Sequence, residues 1–332
     1  MRPKVTVISL GGTIAMTRMG DAGVTPTLDG AALVAAVPCL HEVAELAAVS
    51  FRQIPSAHLG LEDVLALASE VARHIQAGAG GVVITQGTDT LEEVAFALDL
   101  LLDQEAPVVV TGAMRNPTLP GADGPANLLA AVRVAASPQA RGLGVLVVLN
   151  DEVHAARYVQ KTHTTSTAAF RSPLTGPLGG IVEGRVRLNN RPLPHPRIEW
   201  EPGGEFASVV PVALLTVSLG DDGRLVDQVR QAGYGGLVIE AFGAGHVHVP
   251  VAYRLKELAA LMPVVLASRT RSGDMLRHTY DFRGSESDLL SSGLISAGPL
   301  DGPKARVLLS LLLTTGANRE QIAGTFAAWA GD

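Results

Sequence analysis

The chain of 332 residues is 47% apolar and 17% charged, enough to bury a large core, and its length points to one or two domains. With 26 Lys and Arg against 32 Asp and Glu, the net charge of −6 offers no basic field for nucleic acid or anionic lipid. A single cysteine, Cys39, excludes an intrachain disulfide and a cysteine-based metal cluster, and no apolar run approaches the roughly 20 residues that span a bilayer.

The first ten residues hold too short an apolar stretch for a signal peptide, so a cytoplasmic protein is expected. Residues 5–10 read as a first strand that ends at Gly11-Gly12. A helical pattern over 61–77 follows, then a strand at 82–85 meeting Gln86-Gly87. The next helix, 91–102, opens with Glu92 and Glu93, acids that complement the positive end of its dipole. A strand at 108–111 runs into Gly112, a helix covers 124–136, and a strand at 143–149 meets Asn150-Asp151. Strands apolar on both faces suit the centre of a parallel sheet covered by helices.

Residues 191–211 are rich in Pro and Gly and read as a linker. Strands at 212–217, 236–240 and 264–267 follow, with helices near 251–261, 303–314 and 318–328. The expected architecture is α/β with two domains. A larger N-terminal domain, 1–190, has a mainly parallel sheet flanked by helices, and a smaller α/β domain occupies 212–332.

Ligands of open α/β sheets sit outside the carboxyl ends of the strands, so the polar turns there are the places to seek chemistry. Thr13, after two glycines, could be a nucleophile if a base takes its proton, or a helix N-cap. Thr88 could be a second nucleophile or activate water, and Asp89 could hold an ammonium; the alternative is that Asp89 or Thr90 caps the helix at Leu91. Lys161, one of four lysines, is either a solvated cation or, in a cleft, a base toward a hydroxyl. His246 and His248 would share one face of a strand, a spacing compatible with metal ligands, yet no third ligand cluster accompanies them. Gly243-Ala244-Gly245 is only a partial match to a dinucleotide turn, and Walker, Gly-x-Ser-x-Gly and His-Glu-x-x-His motifs are missing.

Taken together, Leu10-Gly11-Gly12-Thr13-Ile14-Ala15 and Ile84-Thr85-Gln86-Gly87-Thr88-Asp89-Thr90-Leu91-Glu92-Glu93 resemble the two signature motifs of the bacterial-type L-asparaginase family. The likeness continues through Val110-Thr111-Gly112-Ala113-Met114-Arg115, Ala122-Asp123-Gly124-Pro125-Ala126-Asn127-Leu128, the stretches around Asn150-Asp151 and Lys161, and Pro303-Lys304-Ala305-Arg306. The resemblance implies hydrolysis of the side-chain amide of L-asparagine without metal or organic cofactor, in a homodimer or homotetramer. It implies Thr13 as primary nucleophile, and Thr88, Asp89 and Lys161 as the catalytic threonine–aspartate–lysine group. Ser56, with backbone around Gly87 and Thr88, would hold the α-carboxylate, Asp89 the α-ammonium, and Ala113 would also touch substrate. A glutaminase of the same fold, or a silent amino-acid-binding protein, is the alternative.

The chain departs from the family pattern at two places. The loop after Gly-Gly-Thr usually carries a tyrosine, and residues 16–28 contain none. The glutamine that commonly follows the binding serine is Ala57. The acid that a neighbouring subunit adds in the family maps to Glu286 when counted from Gly293, or to Tyr280 when counted from Arg269. Tyr280 is also a candidate substitute for the missing phenol.

Overall fold

The computed structural model describes residues 2–12, 14, 29–203 and 208–331, together with the backbone of 16–18 and 24–26. By their contacts these fall into two compact units, Met1–Leu193 with Glu201–Gly203, and Pro194–Trp200 with Gly204–Asp332. The proline-rich stretch expected as a linker is therefore shared out between the two units.

In the first unit the strands are β1 (Lys4–Ser9), β2 (Met16–Arg18), β3 (Val24–Pro26), β4 (Glu45–Ser50), β5 (Gly81–Thr85), β6 (Val108–Thr111), β7 (Val145–Leu149), β8 (Glu152–Ala155), β9 (Gln160–Lys161), β10 (Phe170–Arg171), β11 (Gly179–Val182) and β12 (Arg185–Leu188). Eight form one sheet in the order β12-β11-β8-β7-β6-β5-β1-β4. From β4 to β7 all neighbours are parallel, and beyond β7 they are antiparallel. Every residue of β5, β6 and β7 is buried, as the unbroken Val and Ile runs require of strands covered on both faces. On one face Val7, Val83, Val109 and Leu146 pack with Leu128 and Val132 of the helix Gly124–Ala135. The chain reverses from β7 to β8 through Asn150 and Asp151, both left-handed at φ 52° and 59°, a two-residue turn that Asn and Asp tolerate.

In the second unit β13 (Val212–Thr216), β14 (Gly236–Ala241), β15 (Val264–Ser268) and β16 (Ile295–Ser296) form a parallel sheet in that order. Its core joins Leu237, Ile239 and Leu266 to Val251, Leu255 and Leu258 of the helix Val249–Ala259. Two further helices start on side-chain caps: Asp301 accepts from the Lys304 N–H before Gly302–Thr314, and Asn318 from Gln321 before Arg319–Trp329. The architecture is α/β, with a large sheet flanked by helices followed by a smaller domain on a parallel sheet. No helix among the described residues is long and apolar enough to cross a membrane.

Candidate active site

Three turns at the carboxyl ends of β1, β5 and β6 come together because their strands are neighbours in the sheet. Leu10 N–H donates to the Thr85 carbonyl, and Gln86 N–H to the Thr111 carbonyl, which carries the pairing past the strand ends. Glycine is needed where the turns touch. Gly12 has φ +85°, and a Cβ there would lie 2.0 Å from the Gly87 nitrogen. A Cβ on Gly87 would in turn lie 2.5 Å from Ser56 Oγ. Thr13 itself lies outside the described residues, as does much of the loop 16–28; the Ile14 side chain would be 2.9 Å from a Cβ on Gly124.

Around this junction most of the expected residues converge. Lys161, on the short strand β9, donates from Nζ to Thr88 Oγ1 at 2.9 Å and to Asp89 Oδ1 at 2.7 Å. Thr88 is buried, while the Asp89 side chain keeps 68% of its surface open. Asp89 can therefore face a second cation while holding Lys161. Ser56 is buried, and its Oγ accepts from the Asp89 N–H at 3.2 Å. Thr90 donates to the Ser56 carbonyl at 3.0 Å, so neither Asp89 nor Thr90 spends its side chain capping the helix Leu91–Leu101. Ala113 is fully buried beside Gly124.

Asp123 and Asn127 organise the β6 turn, and no role was legible for either in the sequence. Asp123 stands at a helix N-cap position, yet its carboxylate reaches back to accept from Met114 and Arg115 N–H at 3.0 and 2.8 Å. Asn127 donates to the Gly112 carbonyl and accepts from Asn150 N–H, tying β6 to the β7–β8 turn. Their signal would have been two polar residues at i and i+4 on an otherwise apolar helix.

The remaining candidates lie in the second unit. Glu286 is fully buried, and its carboxylate accepts from Thr279 and Tyr280 N–H at 3.0 and 2.7 Å. Burial alone would raise its pKa, but these backbone donors and the His246 ring hold it below the usual value. The Glu286 carboxylate is thus held by its own backbone neighbours, and Tyr280 is 43% exposed. His246 and His248 do not share a strand face. His246 bridges to Phe242 and stacks edge-on with Tyr280 at 4.7 Å, while His248 precedes a helix and faces the Asp221 carbonyl. Among the described residues no group of three or more His, Cys, Asp or Glu has a metal-holding arrangement.

Comparison with known proteins decides the family. Residues 4–194 match the family model "Asparaginase, N-terminal", and residues 211–326 match "Glutaminase/Asparaginase C-terminal domain".

The chain belongs to the asparaginase family. It is 36% identical over 317 residues to a probable periplasmic L-asparaginase of Haemophilus influenzae, covering 94% of this chain and 89% of that one. To the glutaminase-asparaginase of Pseudomonas fluorescens it is 33% identical, covering 93% and 86%. Among solved structures, a probable cytoplasmic L-asparaginase from Campylobacter jejuni superposes with a TM-score of 0.87 at 34% identity, covering 98% of this chain and all of that one. The protein is thus an asparaginase-type hydrolase with the fold of its family.

Proposed function

We propose that this asparaginase hydrolyses the side-chain amide of L-asparagine to L-aspartate and ammonia through Thr13. The observation that carries the reading is the double contact of Lys161 Nζ with Thr88 and Asp89 beside the Gly12–Gly87 junction. Thr13 Oγ attacks the amide carbon, the C–N bond breaks, and the threonine proton ends on the departing ammonia. Water then attacks the resulting ester, and Thr88, held by Lys161 Nζ, passes the water proton on to the departing Thr13 Oγ, while Asp89 keeps that amine in place. Water's oxygen ends in the new carboxylate and the Thr13 hydroxyl is regenerated. Ser56 and backbone around Gly87 and Thr88 hold the α-carboxylate, Asp89 the α-ammonium, with Ala113 beside the substrate. The enzyme works in the cytoplasm as a homo-oligomer in which Tyr280 of a neighbouring copy supplies the phenol missing from the loop.

Ammonia release from asparagine and from glutamine, each with Thr13→Ala as control, tests this. Release from asparagine that vanishes in the variant is expected. Faster release from glutamine would make the protein a glutaminase, and tight binding without release would make it an amino-acid-binding protein.

A further inference from the structure

Lys161 sits on a strand of two residues, β9, whose partner β10 also has two. Such a ribbon does not fix its own position. If Lys161 serves Thr88 as proposed above, something else must set the distance between them.

Three contacts, with the helix Leu91–Leu101 and with β8, reach the ribbon. Glu92, buried in the first turn of the helix Leu91–Leu101, accepts a hydrogen bond from the Lys161 backbone N–H. Glu92 lies four positions after Thr88, in the first turn of the helix into which the Thr88 turn leads, so the carboxylate ties the lysine's backbone to the segment that follows directly on the hydroxyl. On the other strand, Ser172 follows β10 and its Oγ lies 2.9 Å from Nδ1 of His154, a fully buried residue of β8. Arg171 of β10 reaches Glu152 of β8 at 3.5 Å. The second His154 nitrogen is 3.4 Å from Glu152 but too poorly aligned for a hydrogen bond, so its link to Ser172 is the directed one.

We propose that Glu92 and the His154–Ser172 pair are positioning residues that hold the β9–β10 ribbon so that the Lys161 amine meets Thr88 and Asp89. This rests on the catalytic reading of Lys161. A displacement of about 1 Å in a catalytic group can cost roughly 100-fold in rate, while ground-state binding through Ser56 and Asp89 is left in place.

The test is a double-mutant cycle on ammonia release from asparagine. Glu92→Ala should lower kcat about 10- to 100-fold with KM within about threefold, and Glu92→Gln, which keeps an acceptor oxygen, should restore most of it. Ser172→Ala should give a smaller fall of the same kind. In a Lys161→Ala background both substitutions should have no further effect, because residues that act through one group are non-additive. Additive losses, or a Glu92→Ala enzyme with full kcat, would overturn the proposal. Should Glu92→Ala not fold, Glu92→Asp keeps the charge, shortens its reach by one methylene and enters the same cycle. A Lys161→Ala enzyme with unchanged kcat would instead remove the catalytic reading itself, so the two failures are distinct.

Discussion

Lys161 Nζ bridges two oxygens of one turn, so its removal strips both Thr88 of its partner and Asp89 of its counter-charge. Lys161→Ala and Thr88→Val should each lower kcat by roughly three orders of magnitude, since members of a catalytic unit fail together. Thermal unfolding of the same variants, shifted by only a few degrees, separates this from misfolding. Asp89 keeps an open carboxylate face, so Asp89→Asn should raise KM far more for asparagine than for an analogue lacking the α-amino group. Equal losses with both substrates would assign Asp89 only to holding Lys161. His154 makes a third case. Burial, and then the charge of Arg171, lowers its pKa to about 4. An unfolded chain takes up that proton near pH 6.5, so it binds more protons than the folded one between these values. Stability should therefore fall as pH drops from about 6.5 to 4, by a few kcal/mol, and level off below. Urea unfolding of His154→Gln across that range should show a flatter pH dependence.

Among the elements, the junction of turns matters more than any single helix. Gly12 and Gly87 bring the ends of β1 and β5 into backbone contact, and a methyl group has no room there. Gly12→Ala combines a left-handed φ with a 2.0 Å clash against the Gly87 nitrogen. It should cost about 2–4 kcal/mol of unfolding free energy and most of the activity, because the turn beside Thr13 must move. Gly78→Ala is the control. It has a comparable φ of +97° with open space around its Cβ, so it should cost less and leave kcat intact. Asp123 adds a second lesson at this scale, since a residue placed as a helix cap spends its carboxylate on the loop after β6.

For the molecule as a whole, exposed Tyr280 and the proposed homo-oligomer lead to a complementation experiment. Thr13→Ala chains mixed with Tyr280→Phe chains should recover activity in mixed oligomers, up to about a quarter of sites if subunits exchange at random and each site draws on two chains. No recovery after verified exchange would place Tyr280 outside the shared site. The sequence by itself determined the α/β class, the central strands and the polar turns at their carboxyl ends. Unbroken Val and Ile runs permit few alternatives to buried parallel strands, and Gly-Gly and Gln-Gly mark sharp exits from them. Local pattern was weaker at the sheet's margins. The edge strand Glu45–Ser50 and the antiparallel strands β11 and β12 carry mixed, half-exposed residues, and β8, buried at three of its four positions, is too short to show a pattern and is set by the turn at Asn150-Asp151. Only the tertiary structure decided which polar groups work together. Lys161 reaches Thr88 across 73 positions and Ser56 reaches Asp89 across 33, distances at which a sequence can name the partners' chemistry but not their meeting. It also decided that Glu286 is spent on its own backbone and that His246 and His248 diverge, because burial and hydrogen bonding are properties of the packed chain rather than of residue type.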